Sequence, residues 1–327
     1  TDPIASITNV RQLYPEIRPN QSWNLQRGIH QIYIEECGNP DGIPIIFLHG
    51  GPGTGCFPAH RRFFNPEIFR IILFDQRGCG QSIPHCCIEE NTTWHLVDDI
   101  EAIRQFLNIN KIILFGGSWG SSLALAYAQS FPDVVAAMIL RGVFLCRDEE
   151  IQWFYQSGTK QFYPDYWQDL ISLVEKDQQH DIVSAYHRML NSENEITRMA
   201  AARAWVLWEN RCSELTFHKV SDDKEHNSPA ALAMATIENH YFINNSFFSP
   251  NQLLENIDRL AGIPSIIVHG RYDTICPLQN AWQLHQAWKG SELNIIPATG
   301  HSAIEAGNID ALIKATDHFS SSLKGKI

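Results

Sequence analysis

The sequence predicts an α/β protein: a mostly parallel sheet with helices on both faces, interrupted by an inserted helical segment. Two observations predict it. Short, near-continuous apolar runs alternate with helical patterns, first up to residue 145 and again towards the end of the chain. Such runs mark strands buried on both faces. The second observation is a gap of about 120 residues between two of these runs, where a crossover between neighbouring parallel strands needs only a dozen or so.

The elements follow in order. Residues 29–35 and 44–48 read as strands, separated by the turn residues Gly38-Asn39-Pro40-Asp41-Gly42. Residues 70–74, 111–115 and 136–143 are further apolar runs. Between them, 94–107 and 121–130 carry helical periodicity, the first through Leu96, Val97, Ile100, Ile103 and Leu107. After Phe144 the alternation stops. Helical patterns at 165–176, 180–190 and 195–212 fill the gap, together with many aromatics, among them Trp153, Phe154, Tyr155, Trp205 and Trp208. The sheet resumes at 265–269 and 292–296, and a closing helix covers about 309–323. The expected organisation is a discontinuous core, 1–145 plus 256–327, with a helical cap at 146–255.

Composition narrows the function. The chain has 327 residues, 44% hydrophobic and 19% charged, which excludes a disordered chain, a collagen-like repeat and a coiled coil. A formal charge of -11 repels phosphate backbones and anionic lipid, so neither nucleic acid nor a membrane surface is expected as a partner. The eight cysteines are irregularly spaced and include no C-x-x-C pair, so the thiols are read as reduced and the compartment as cytoplasmic. His85-Cys86-Cys87 looks like part of a metal site, but no second half of a ligand set follows, and a surface turn beside Pro84 is the plainer reading. The residues by themselves therefore suggest no metal site. The first ten residues have no apolar segment of the signal-peptide kind, and no run approaches 18 apolar residues. Oligomeric state is not legible.

The strongest local signal is Gly116-Gly117-Ser118-Trp119-Gly120, a G-x-S-x-G placed directly after one predicted strand and directly before a predicted helix. That context is what the motif requires of a nucleophilic serine on a strained turn. A glycine-rich turn with an incidental serine is the alternative. A serine hydroxyl needs a base, itself oriented by a carboxylate. Asp273 follows the strand at 265–269, and His301 follows the strand at 292–296, in the chain order Ser, Asp, His. Taken singly, Asp273 reads as a turn residue and His301 as a surface residue. Together, each at the carboxyl end of a strand, they read as the rest of a triad. His49-Gly50-Gly51-Pro52-Gly53 follows the strand at 44–48 and matches the loop type that supplies an oxyanion donor. Gly51 and Trp119 are the expected N–H donors.

These motifs, with Asp75-Gln76-Arg77-Gly78-Cys79-Gly80-Gln81-Ser82, resemble those of the proline iminopeptidase (prolyl aminopeptidase) family, serine peptidases of the α/β-hydrolase fold. The resemblance covers almost the whole chain. It extends to Arg141-Gly142-Val143-Phe144, Trp205-Val206-Leu207-Trp208-Glu209, Ile237-Glu238-Asn239-His240-Tyr241-Phe242 and Gly270-Arg271-Tyr272-Asp273. It implies an exopeptidase that releases N-terminal proline from small peptides through a prolyl-enzyme, with a helical cap over the triad and no metal. It also implies that Glu209 and Glu238 bind the imino group and that Phe144 lines the proline pocket, with Phe154 as a second wall. Fixed anions suit that task, because only a free terminal residue brings a cation to the acyl pocket. Another esterase or amidase of the same fold, or a non-catalytic binding member, stands as the alternative. Cys79 and Cys276 lie in or beside the site motifs, and bulky thiol reagents are expected to inhibit by obstruction.

Overall fold

The computed structural model describes residues 10–216 and 228–327. The opening stretch up to residue 9, and residues 217–227 of the expected cap, lie outside the described residues. Eight strands form one sheet among the described residues: β1 (Gln21–Arg27), β2 (His30–Gly38), β3 (Ile43–Leu48), β4 (Phe69–Phe74), β5 (Ile112–Gly117), β6 (Val135–Arg141), β7 (Ser265–Gly270) and β8 (Ser291–Ile296). Their order is β1-β2-β4-β3-β5-β6-β7-β8. The pairs β1/β2 and β2/β4 are antiparallel, and all the others are parallel.

Every run expected to be a strand enters this sheet. The exception in the other direction is β1, which sequence reading missed. Its residues alternate between exposed and half-buried, and it pairs only with β2. A polar edge strand of this kind has no apolar run to announce it. The central strands bury both faces, as successive residues show. Ile46, Ile72, Leu114 and Leu140 pack into one apolar layer, and their neighbours Ile45, Ile71, Ile113 and Ile139 pack into the other. A side-chain period of two requires this wherever helices cover both sides.

The helices are α1 (Thr93–Phe106), α2 (Trp119–Ser130), α3 (Asp148–Gln152), α4 (Pro164–Ile171), α5 (Ile182–Leu190), α6 (Glu195–Cys212), α7 (Pro229–Ile243), α8 (Gln252–Glu255), α9 (Leu278–Ala287) and α10 (Ala306–Ser322). Several starts are written in the sequence. The Asn194 side chain accepts from Ile196 N–H (2.9 Å) to open α6, and Ser228 accepts from Ala231 N–H (3.2 Å) ahead of Pro229 to open α7. The helix expected at 165–176 stops at Ile171, and in the turn that follows Gln179 folds back to donate to the Val174 carbonyl (3.0 Å). The segment between β6 and β7 is held to the carboxyl edge of the sheet by hydrogen bonds. Ser213, just past α6, accepts from the N–H groups of His301 (3.0 Å) and Ser302 (2.8 Å). The Thr274 carbonyl accepts from Trp153 Nε1 (2.8 Å) and Thr159 Oγ1 (2.6 Å). Among the described residues, no helix is long and apolar enough to cross a membrane.

Candidate active site

Ser118 sits between β5 and α2 with φ 55° and ψ -124°, a conformation that side chains rarely adopt. The turn is possible because its flanks are bare. A Cβ on Gly116 would fall 2.2 Å from the Gly120 carbonyl oxygen, and one on Gly120 would fall 2.1 Å from that of Leu48. The second clash shows that the end of β3 passes directly beside the turn. The chain leaving β3 carries Gly50 and Gly51, which line the same cleft as Ser118. Trp119 is the first residue of α2, so its N–H has no acceptor within the helix and is available to a developing oxyanion.

Gln76 ties these two donors together, a role that sequence reading did not assign. Its Nε2 donates to the His49 carbonyl (2.9 Å), and its Oε1 accepts from Trp119 Nε1 (2.9 Å). Asp75 holds the far side of the loop by accepting from Cys56 N–H (2.7 Å) and Gln81 N–H (2.8 Å). The Asp75–Ser82 motif therefore braces the loop that carries Gly51.

Asp273 and His301 come together as expected. His301 Nδ1 lies 2.6 Å from Asp273 Oδ2. The other carboxylate oxygen accepts from the N–H groups of Ile275 (3.0 Å) and Cys276 (2.8 Å). Burial alone would raise the pKa of Asp273, but the partners outweigh burial and the net shift is downward, led by His301. His301 shares the outer cleft with Ser118.

Two cavities meet at Ser118. The inner one is small and apolar, walled by Phe144, Phe154, Phe242, Ile151 and Ile275, with Glu209 and Glu150 also in its lining. The outer cleft is much larger and open. Gly51, Ser118 and Glu209 border both. Phe144 and Phe154 thus both line the inner cavity. Glu209 reaches it from α6. Glu238 does not line it and lies fully buried on α7. Its Oε1 accepts from Trp205 Nε1 (3.0 Å) and Tyr155 Oη (3.1 Å), while its Oε2 has no hydrogen-bond partner among the described residues. Burial pushes Glu209 up to about 7, and burial together with the neighbouring Glu209 pushes Glu238 well above the usual carboxyl range. Two carboxyls this close in a dry site favour holding at least one proton between them. Glu150 is engaged elsewhere, accepting from the N–H groups of Leu145 (3.0 Å) and Arg147 (2.9 Å).

All eight cysteines are free. Cys276 lines the inner cavity, whereas Cys79 is buried and borders neither cavity. Burial raises both thiols well above their ordinary pKa. Among the described residues, no three His, Cys, Asp or Glu side chains converge as a metal-ligand set.

Known proteins resemble this chain along most of its length. A family model for the alpha/beta hydrolase fold matches residues 43–307. The proline iminopeptidase of Xylella fastidiosa (strain 9a5c) is 51% identical over 317 residues, covering 95% of this chain and 100% of the relative. That of Arabidopsis thaliana is 49% identical over 315 residues, covering 95% of this chain and 83% of the relative. Among solved structures, an esterase from Exiguobacterium antarcticum superposes with a TM-score of 0.59 at 21% identity, covering 90% of this chain and 96% of the other, a likeness of fold alone.

Proposed function

The chain belongs to the proline iminopeptidase family of the α/β hydrolase fold and carries that family's activity, and from this premise we propose how its own residues perform it. The observation that carries the reading is the position of Ser118, where a small apolar cavity with a carboxyl meets a wide cleft. The inner cavity takes the N-terminal proline, and the outer cleft takes the rest of the peptide. Ser118 Oγ attacks the scissile carbonyl, and His301 Nε2 receives its proton. Asp273 fixes the His301 tautomer through Nδ1 and stabilises the imidazolium. The N–H groups of Gly51 and Trp119 hold the oxyanion. His301 then protonates the leaving amine, and water, activated by the same imidazole, hydrolyses the prolyl-enzyme.

Glu209 meets the substrate's imino nitrogen directly, while Glu238 stands behind it and sets its charge. A secondary ammonium entering the cavity supplies the cation that this pair lacks, and a charge-assisted hydrogen bond forms with Glu209. An N-blocked substrate leaves the carboxyls unpaired and is rejected. Phe144 and Phe154 offer faces to the rigid pyrrolidine ring. In this reading residues 146–255 are a cap over a core of 1–145 plus 256–327. Eight free thiols suit the reducing cytoplasm, and small peptides with N-terminal proline are the partners rather than nucleic acid or membrane. The test is Ser118→Ala assayed on a prolyl arylamide. The expected loss in kcat is about a millionfold. Retention of the wild-type rate would remove Ser118 from the mechanism.

A further inference from the structure

The outer cleft has a polarity that release of proline does not use. Much of its wall is apolar, including Phe57, Val206, Met234 and Ala303, yet Arg141 and His60 also line it. Arg141 closes β6. Its guanidinium lies against Gly117, the residue before Ser118, where a Cβ would fall 2.1 Å from Nη2. Nη1 donates to the His301 carbonyl, its one side-chain hydrogen bond among the described residues. A guanidinium has five N–H donors, so most of this one's capacity is unspent. Its nearest charge of opposite sign, Asp273, is already committed to His301 and two backbone N–H groups.

His60 supplies a second donor. Its Nδ1 accepts from Phe57 N–H (3.0 Å), and its ring stacks on Phe47 at 4.4 Å. That bond assigns the ring proton to Nε2. Burial, with His49 and Arg141 nearby, pushes its pKa down to about 3, so the ring stays neutral and keeps one N–H to give.

The geometry points to an anion subsite at Arg141 and His60 that binds the C-terminal carboxylate of the leaving residue, making dipeptides with N-terminal proline and an apolar second residue the favoured substrate class. This rests on the reading of Ser118 as nucleophile and of the inner cavity as the seat of proline. The reach agrees with it. In a dipeptide only Cα separates the scissile nitrogen from the carboxylate carbon, about 2.5 Å away. The guanidinium packs on the residue next to Ser118 and lines the same cleft, so a carboxylate close to the scissile bond is the one it faces. Each further residue carries the carboxylate about 3.3–3.6 Å onward and leaves a neutral carbonyl at the guanidinium. The charges also agree: Glu209 borders the inner cavity and Arg141 lines only the outer cleft, matching the two ends of a zwitterion.

The experiment compares kcat/KM for prolyl-leucine, prolyl-leucinamide and prolyl-leucyl-glycyl-glycine on the full chain, with a prolyl arylamide as reference. The free dipeptide is expected to exceed its amide by about ten- to a hundredfold, the worth of one charge-assisted bond. Arg141→Met brings that ratio close to one, and Arg141→Lys keeps part of it. Leucine should also inhibit arylamide hydrolysis better than leucinamide, a comparison that stands even if the Met variant does not fold. Equal wild-type rates for dipeptide and amide, with the arylamide cleaved, would overturn the subsite alone. Failure to cleave any of the four would overturn the reading beneath it as well.

Discussion

Asp273 and Glu238 are both carboxyls buried out of water, and the chain treats them in opposite ways. Asp273, on the sheet edge, accepts from an imidazole and two backbone N–H groups, and its pKa falls. Glu238, on α7, has one oxygen held by Tyr155 and Trp205 and the other met by no N–H or hydroxyl donor among the described residues, with the Glu209 carboxyl beside it, and its pKa rises. Burial is common to both, so burial does not decide the charge. The partners do. The sheet edge is built around an anion that is always present. The helical segment is built around a charge that is completed when a cation arrives.

The sharpest way to break the comparison is to neutralise the sheet-edge carboxyl. Asp273→Asn keeps the shape but favours the wrong His301 tautomer, and kcat should fall about ten-thousandfold. A loss of only a few fold would mean that His301 is oriented some other way. Glu238→Gln tests the opposite case. A carboxyl whose folded pKa is raised binds more protons folded than unfolded, so its presence makes stability fall as pH climbs above about 4.5. The variant should therefore unfold about 2 °C higher than wild type at pH 8. That advantage should fade towards pH 4.5. A lower midpoint at pH 8 would show that Glu238 is a stabilising anion like Asp273.

A smaller effect is expected at the thiols. Cys276 lines the inner cavity and Cys79 does not, so obstruction by a bulky thiol reagent should be traceable to Cys276 alone. Cys276→Ser should abolish inhibition while changing kcat/KM by less than about threefold, since the swap nearly conserves volume. Cys79→Ser should leave inhibition intact. The raised thiol pKa values predict slow modification near neutral pH. Inhibition that persists in the Cys276 variant would contradict the assignment.

The two regions also differ in how much of them could be read from sequence. Ser118, Asp273 and His301 each follow an apolar strand on a glycine-containing loop, so local pattern places them and chain order relates them. Glu209 and Glu238 lie on helices amid ordinary core aromatics, and only family likeness singled them out. Tyr155 and Trp205 stood out only as cap aromatics, Trp205 also within a family motif, and their hold on Glu238 was not legible, because a buried aromatic with a polar tip looks the same in sequence whether or not a carboxyl waits behind it. Gln76 lies within the Asp75–Ser82 motif, but its bridge between His49 and Trp119 depends on two loops meeting in space. Arg141 was likewise visible only as part of a motif, since its unspent donors follow from what surrounds it.

The central claim is that the Glu209–Glu238 pair measures the free imino group. The direct measurement is kcat/KM at pH 8 for a prolyl arylamide against its N-acetyl derivative, in wild type and in Glu209→Gln. The account predicts that acetylation costs wild type about a thousandfold, because the buried carboxyls are left unpaired. It also predicts that Glu209→Gln loses about ten- to a hundredfold on the free substrate and little on the acetylated one. Wild-type turnover of the acetylated substrate at the rate of the free one would contradict it.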